Sequence, residues 1–478
     1  MAGWLKNVGS VMMVFVATWA AAIMYWRSSG TTPNGMQMLA YLGVLPVGLS
    51  GAGYMLRSML SRGVEKVVET NASGAEAPSA ATVAAPGAAL PSMAITAASI
   101  NLAAAAAAAT DANAMLAVAT ALPRPQLDNR FRDANNLPIR VSAVADLDEW
   151  LVLSEREGDI DTAAHERRAT ALLQPVLEQL LDAAYLAMPA IVGGEEVVVA
   201  GLRRREEERV DNALTVELVV SPAWSDGLRH WVQAWLQEQA VQAGLDARRF
   251  DVRISVLERP GDVWAHLQRI VDALSAGTPR WHLLVSCYSA IDAGVINTWL
   301  AQGLLATTQN AQGRVPGEGA AGVLLSSIAL AGEGAGRLWR PQVERLEPVY
   351  GSRPAELRRQ LATAAQQWLQ PLLADAGRVQ FVLHDADQHP ESIVATAAVT
   401  AALNPDLDFS SQSLALAVCS GELGPVLPVA QLALAQAQLQ RQSDAVLLLG
   451  VADAQQRLFG LVEPLSSPTL AAEMPTVN

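Results

Sequence analysis

The sequence predicts an α/β fold that is built from two similar halves and preceded by two membrane-spanning helices. Over residues 91–478, short apolar segments of β character alternate with longer amphipathic segments, once in the middle of the chain and again near its end. Such alternation indicates β–α–β crossovers and a mostly parallel sheet covered by helices. Two uncharged apolar runs precede this region, within the first 55 residues.

The elements of the two halves follow the same order. A first core strand is predicted over Met93–Asn101. The rest of the first half comprises ALTVELVVS (strand), a helix with two tryptophans, FDVRISVLE (strand), a helix over Gly261–Leu274 and WHLLVSCYS (strand). The second half comprises RVQFVLHDA (strand), a helix over Glu391–Leu403, SLALAVCS (strand), a helix over Gly424–Gln440, and the strands DAVLLLGVA and RLFGLVEP. This repetition favours a duplicated fold.

The amino-terminal residues 1–69 predict a transmembrane hairpin. Residues 8–26 are nineteen uncharged residues, enough for a helix rising about 1.5 Å per residue to cross a hydrocarbon core of about 30 Å. A second run over residues 36–55 follows a short Pro- and Gly-containing link. Basic residues cluster before the first run and after the second, which places both ends in the cytoplasm. A cleavable signal peptide is the alternative for the first run.

Residues 70–90 are dominated by Ala, Pro, Ser and Gly and predict a flexible linker, because they lack the large side chains needed to offset the entropy cost of ordering. The remaining residues, 91–478, predict one large cytoplasmic domain. The net charge of −14 argues against a nucleic-acid partner. The chain has two cysteines and no CxxC motif, which excludes a disulfide framework and a structural zinc site. No cofactor or metal is indicated.

Two blocks of the sequence resemble the β-ketoacyl synthases. In the first, Leu283–Leu325, a strand is followed by a GEGAG-type loop and a further strand. In the second, a strand, a Gly-rich turn and a long apolar helix precede the two closing strands. The loop residues of these motifs are Gly313, Gly317, Glu318, Gly319, Gly421, Glu422 and Gly424. The resemblance implies a thiolase-like, five-layered αβαβα duplicated fold, with the last two strands antiparallel.

The residues that such an enzyme needs are missing from their expected places. A condensing enzyme of this family uses a cysteine at a helix N-terminus, where the helix dipole lowers the thiol pKa, together with two histidines. The corresponding strand–helix junction reads Arg259-Pro260-Gly261. In the Gly-rich turn, Glu422 and Leu423 stand where the resemblance implies a histidine. These departures predict a domain that has lost the catalytic triad.

Weak catalytic candidates remain elsewhere. Cys419 is predicted at the end of a strand before a helix, with His384 and His389 following a neighbouring strand. Cys287 is predicted at the end of a core strand, where a buried apolar setting raises the thiol pKa and makes the thiol inert. The segment HDADQHPES offers carboxylates and imidazoles at a spacing that a metal could use, although solvated or capping groups are the simpler interpretation.

The membrane hairpin, the degenerate synthase-like domain and the blocks RPQLDNRFRDANNLPI and ALNPDLDF together resemble the adaptors of type VI secretion lipase effectors. That resemblance implies a non-catalytic protein of the bacterial inner membrane that recruits a lipase-like effector. Its expected partners are the effector and secretion-apparatus subunits, and the family expectation for the domain is a homodimer. Two alternatives stay open. One is an acyl-transfer or acyl-binding enzyme acting on lipid precursors, and the other is a membrane scaffold that uses the small residues of the second span for helix packing.

Overall fold

The computed structural model describes most of the predicted large domain. The described residues are 90–104, 107–109, 116, 124–145, 147, 162–189, 196–199, 202–205, 213–345, 354–373, 375–387, 389–453 and 456–465. The predicted transmembrane hairpin and the linker up to residue 89 lie outside this set and stay predictions. None of the helices within it combines the length and the hydrophobicity that crossing a membrane requires.

The strands are numbered β1 to β16 in chain order. They are β1 Ser92–Ala104, β2 Ala107–Ala109, β3 Gln126–Arg132, β4 Pro138–Val141, β5 Glu196–Val199, β6 Leu202–Arg205, β7 Leu214–Val220, β8 Phe250–Val256, β9 Trp281–Ser289, β10 Glu318–Ser326, β11 Gly336–Trp339, β12 Gln342–Arg345, β13 Val379–His384, β14 Ser413–Ala415, β15 Ala445–Gly450 and β16 Gln456–Pro464.

The helices are numbered in the same way. They are α1 Ala164–Ala187, α2 Asp226–Gln242, α3 Pro260–Ala276, α4 Ala293–Ala301, α5 Pro354–Leu369, α6 Pro390–Leu403, α7 Leu416–Ser420 and α8 Val426–Arg441. Side-chain caps start two of them: Ser225 accepts a hydrogen bond from the Leu228 N–H at α2, and Asp292 accepts from two N–H groups at α4.

The main sheet consists of two halves with the same topology. The strand order is β8-β7-β9-β10-β1 in the first half and β14-β13-β15-β16-β11 in the second. In each half the first three strands in that order are parallel, and the fourth runs antiparallel to both of its neighbours. Pairing of β1 with β11 joins the halves into one sheet. This repetition confirms the duplicated α/β arrangement.

The prediction of a mostly parallel sheet is wrong, because the sheet is mixed. Helical crossovers make β7, β8 and β9 parallel in one half, and β13, β14 and β15 in the other. The closing strand of each half then returns alongside its predecessor in the opposite direction. A short β15–β16 connection allows only an antiparallel pair, since parallel neighbours need a crossover of a dozen or more residues.

Helices fill three layers around the two half-sheets. Helices α3 and α8 lie in the middle layer, where they contact strands of both halves. Every residue of α8 from Val426 to Leu439 is buried, which explains the almost continuous apolar and small residues of this helix. Helices α1 and α2 cover the outer face of the first half, and α5 and α6 cover that of the second. The order of layers is therefore αβαβα.

One predicted strand is largely a helix. The segment SLALAVCS contains only three strand residues, Ser413–Ala415, before α7 begins. These three residues pair with the end of β13, which is itself short. Beyond that point the chain turns into the middle layer, and the helical spacing of Leu416 and Cys419 places both side chains in the central core. Cys419 therefore lies in a helix and not at the end of a strand.

Candidate functional site

The start of α3 is the position where a thiolase-like nucleophile was expected. Arg259 is the N-cap residue and Pro260 occupies the first turn, where its missing N–H costs nothing. A Cβ atom added to Gly261 would lie 1.7 Å from Oε1 of Gln456, so any side chain here would have to displace that amide. Residues 259–261 carry neither a thiol nor a hydroxyl group, and the side chain of Gln456 takes up the space in front of the helix.

The structure brings the two glycine-containing loops together, although they are about 100 residues apart in the chain. The Glu422 N–H donates to the carbonyl of Val315 at 2.9 Å, and Pro316 and Glu422 form a bridge. A Cβ atom on Gly317 would lie 2.2 Å from the carbonyl oxygen of Ser420. Gly421 has φ of +67°, a conformation that other residues rarely adopt. Glycine is therefore needed in both loops for the backbones to approach.

Glu318, in the GEGAG-type loop, is fully buried and bonded on several sides. Its carboxylate accepts from the Arg168 guanidinium at 2.8 and 2.6 Å, from the Val144 N–H at 2.8 Å and from the Ser289 hydroxyl at 2.9 Å. These donors lie on α1, on the segment after β4 and at the end of β9. The carboxylate therefore ties three parts of the first half together and plays a structural role.

Glu422, which replaces the expected histidine, lies near the buried phenol of Tyr288. The Gly424 N–H donates to a Glu422 carboxylate oxygen at 3.2 Å, and the Tyr288 ring packs over Gly424. Burial raises the pKa of Tyr288, and the negative charge of Glu422 raises it further. The Tyr288 phenol therefore stays protonated at physiological pH.

Cys419 is buried in α7, and its thiol is held in the protonated form. The Sγ–H donates to the carbonyl of Ala415 at 3.2 Å, and burial raises the pKa of Cys419 to about 12. The carbonyl of Cys419 accepts a hydrogen bond from the Ser142 hydroxyl. Cys287 lies fully buried in β9 among residues of the outer core, and burial raises its pKa also. Since the thiolate is the nucleophile, neither cysteine is activated.

The protected state of Cys419 predicts slow alkylation. In the folded protein at pH 8, we expect iodoacetamide to modify Cys419 at least about 100-fold more slowly than a free cysteine, because its thiolate is scarce and the sulfur is buried. Peptide mass spectrometry after timed labelling measures this rate, and labelling in urea gives the unfolded reference. Modification of native Cys419 at the unfolded rate would contradict the prediction.

His384 ends β13, and its cross-strand neighbour in β14 is Ala415, whose carbonyl holds the Cys419 thiol. The imidazole is 2% exposed and stacks on Phe409 with ring centroids 5.6 Å apart. Burial lowers the pKa of His384 to about 4, so the ring is neutral at physiological pH. Its Nδ1 atom has no hydrogen-bond partner among the residues that the structure describes. His384 therefore lies on an element adjacent to Cys419 without activating the thiol.

His389 lies apart from this pair. It is the N-cap residue of α6, its side chain is 43% exposed, and its Nδ1 atom lies 2.6 Å from the Asp387 carboxylate. Asp385 instead accepts from the Val451 and Ala452 N–H groups, and burial raises the pKa of Asp385 to about 6. The candidate ligands of this segment, His384, Asp385, Asp387 and His389, thus serve different local contacts. Across the described residues, no group of three His, Cys, Asp or Glu side chains is arranged to hold a metal ion.

A second buried polar cluster, centred on Glu217, was not predicted from the sequence. The carboxylate of Glu217 on β7 lies 2.8 Å from Nε2 of His266 on α3 and 2.9 Å from Nε2 of His282 on β9, and it also accepts from the Ser255 hydroxyl. Burial alone would raise the pKa of Glu217, but the hydrogen bonds from the two histidines outweigh it and hold the pKa below its ordinary value. The available signal was a charged residue inside an otherwise apolar strand.

The Glu217→Gln variant should be less stable than the wild type by about 1–2 kcal/mol at neutral pH, because hydrogen bonds to a charged acceptor are lost. A carboxylate with a lowered folded pKa stabilises the protein above its unfolded pKa, near 4.5 here, and stops doing so as the pH falls through the folded pKa. We therefore expect the difference to shrink as the pH falls below 4.5. Urea unfolding at each pH measures it, and a difference that grows in acid would contradict this assignment.

Comparison with known proteins gives a likeness in fold. No family model and no curated protein sequence matches the chain. Among solved structures, a cerulenin-bound variant of OleA from Xanthomonas campestris is 14% identical, with 78% of this chain and 97% of that chain covered and a TM-score of 0.44. The tetronic acid condensing enzyme AbyA1 is 16% identical, with 77% and 99% covered and a TM-score of 0.40. The ishigamide ketosynthase/chain length factor is 15% identical, with 78% and 99% covered and a TM-score of 0.46.

These three structures are what the chain is similar to, and its mixed α/β fold is defined by its own strand order. The repeated strand order and the five layers of this chain define the fold independently of the neighbours. At such low identities and TM-scores, the likeness carries no information on activity. The chemistry has to be argued from the residues of this chain.

Proposed function

We propose that this chain is a non-catalytic adaptor whose thiolase-like domain binds a protein partner. The observation that carries the proposal is that neither cysteine is activated: residues 259–261 at the start of α3 offer no thiol, and both Cys287 and Cys419 are buried with raised pKa values. The glycine loops that surround a catalytic centre in the enzymes serve here as a tightly packed junction. A preserved fold without its reactive groups fits a binding role.

More specifically, we propose that the partner is a lipase-like effector of type VI secretion and that the amino-terminal hairpin holds the adaptor at the bacterial inner membrane. The sequence supports this through the two apolar runs and through the blocks that resemble the lipase-effector adaptors. The domain would remain in the cytoplasm and present the effector to secretion-apparatus subunits.

An acyl-transfer or acyl-binding enzyme is the second candidate. One observation favours it: the buried, neutral His384 has a ring nitrogen without a partner among the described residues, next to the element that carries Cys419. For this function, the Cys419 thiol would have to give up its hydrogen bond to the Ala415 carbonyl and contact a substrate. It would also have to transfer its proton to an acceptor, and the described residues place no such acceptor beside it.

Affinity purification of the tagged full-length chain from its native cell distinguishes the two candidates. We expect a secreted lipase-like protein or secretion-apparatus subunits to co-purify with the wild type and, equally, with Cys419→Ser. Recovery of acyl-carrier protein in their place, together with covalent labelling of Cys419 by a fatty-acyl mimic that Cys419→Ser abolishes, would overturn the adaptor proposal. Cys287→Ser is the matched control, because it removes the other buried thiol.

A further inference from the structure

A groove of about 470 Å³ lies on the outer face of the second half, where α5 and α6 end. Leu369, Leu373 and Leu403 are buried along its floor. The neighbouring positions Ala376 and Ala402 carry only methyl groups, which leaves the space between the helices unfilled. None of the described residues that line the groove is charged.

Three glutamines of α5 form the exposed rim of the groove: Gln366, Gln367 and Gln370. The Gln366 side-chain amide donates to the carbonyl of Ala402 at 2.7 Å, and this bond ties the end of α6 to α5. The side-chain amides of Gln367 and Gln370 make no hydrogen bond within the part of the chain that the structure describes. An amide group both donates and accepts, so these two side chains can pair with the N–H and C=O groups of a peptide.

This lining suits an extended peptide segment with few charges. The leucines of the floor provide an apolar surface against which an aliphatic side chain can be buried. A charged side chain in the same place would lose its water without gaining a charged partner, which is unfavourable. The glutamine rim, in turn, can hold the backbone of such a segment by hydrogen bonds.

Strand β16 ends beside this groove. Val446 of β15 pairs with the first half of β13 on one side and with the end of β16 on the other, so these two parts lie at the same edge of the sheet. The Glu463 carboxylate near the end of β16 lies 3.7 Å from the guanidinium of Arg378. Arg378 closes the short 3₁₀ turn Ala376–Arg378, whose first residue lines the groove. The chain therefore leaves β16 close to the groove.

The segment that follows, residues 466–478, lies outside the described residues, and its sequence matches the groove in chemistry. It reads SSPTLAAEMPTVN, with large apolar side chains at Leu470, Met474 and Val477 and a single charged residue, Glu473. Its two prolines disfavour a helix and favour an extended backbone. Five extended residues span about 17 Å, which is enough to carry Leu470 from the end of β16 to the 3₁₀ turn beside it.

We propose that the groove between α5 and α6 is the docking site of the chain's own segment 466–478. Leu470 fills the apolar floor, the backbone of the segment pairs with the amides of Gln367 and Gln370, and Glu473 stays in water. This intramolecular contact is independent of the adaptor function, because every residue that forms it belongs to this chain.

Photo-crosslinking of the detergent-solubilised full-length chain tests this contact. The photoreactive residue p-benzoylphenylalanine replaces Gln367 in one variant and Gln370 in a second, and mass spectrometry of the digested protein identifies the crosslinked peptides. We expect both probes to crosslink to residues 466–478. A probe in place of Gln237, an exposed glutamine on α2, is the matched control and should not reach that segment, because α2 covers the other half of the domain. Circular dichroism checks that the variants fold.

Substitutions in the segment identify the side chain that docks. With the probe at position 367, Leu470→Asp should lower the crosslink yield by about 5-fold or more, because a carboxylate on the apolar floor loses its water without gaining a partner. Glu473→Gln is the matched control and should change the yield by less than about 2-fold, because this side chain faces water in the proposed arrangement.

The proposal is overturned if neither probe crosslinks to residues 466–478, or if Leu470→Asp leaves the yield unchanged. A mixture of unlabelled chains and chains labelled with heavy nitrogen identifies the source of the segment. Crosslinks within one chain join peptides of the same isotope, whereas mixed pairs would show that a second copy supplies the segment and would contradict the proposal. Crosslinks to a co-purified lipid or protein in place of the segment would also overturn it.

Discussion

The Glu318→Gln variant is expected to lose about 3–5 kcal/mol of unfolding free energy, because it removes the negative charge that Glu318 places against the buried guanidinium of Arg168. Both side chains are almost completely inaccessible, with 4% and 0% of Arg168 and Glu318 exposed. Water therefore cannot reach and solvate the guanidinium charge that remains in the variant. Glutamine keeps the size of the side chain, so the loss reports the charge and not a cavity. Urea unfolding followed by circular dichroism measures it.

The double variant Arg168→Met/Glu318→Gln is the informative control. Removing both charges should recover part of the loss, since the penalty of a broken buried pair comes from the charge that remains. An exposed pair provides the matched comparison: Asp272 and Arg340 are 2.8 Å apart with nearly half of each side chain in solvent, and Asp272→Asn should cost less than about 1 kcal/mol. Equal losses for Glu318→Gln and Asp272→Asn would contradict the structural role of Glu318.

The sequence predicted the secondary structure well where one pattern dominated. Strand β15 is a continuous apolar run buried on both faces, and α3 shows a clear amphipathic period, so their positions follow from the residues. The segment SLALAVCS was misassigned because a run of apolar and small residues suits a short buried strand and a short buried helix equally. Only the length of its pairing partner, β13, determines where the strand ends.

Contacts between distant residues could not be predicted in the same way. Arg168 and Glu318 are 150 residues apart, and nothing in the residues around Arg168 indicates which carboxylate it meets. The Glu217 cluster likewise draws its members from three strands and a helix. By contrast, the loops around Gly317 and Gly421 were identified from their glycine content, although their mutual contact appears only in the folded chain.

That contact makes Gly317→Ala the second large expected effect, a loss of about 3 kcal/mol, at the upper end of the cost of overpacking. The added Cβ atom would lie 2.2 Å from the carbonyl oxygen of Ser420, and 2.9 and 3.0 Å from the backbone oxygen and nitrogen of Glu422. Backbone atoms surround it, so no side-chain rotation can relieve the clash. The two loops would have to separate and break the bond between Glu422 N–H and the Val315 carbonyl.

Gly332→Ala is the matched control, because no atom lies within 4 Å of the added Cβ and the change should be within about 0.5 kcal/mol. Urea unfolding measures both variants. A second readout separates loop displacement from a general loss of stability. The Cys419 carbonyl accepts a hydrogen bond from Ser142, close to the junction of the two loops. If the loops separate, Cys419 should react faster with iodoacetamide in native Gly317→Ala than in the wild type. A Gly317→Ala protein as stable as Gly332→Ala would show that the loops do not pack this tightly. The junction would then have room for a ligand, which would favour the acyl-binding alternative over the adaptor.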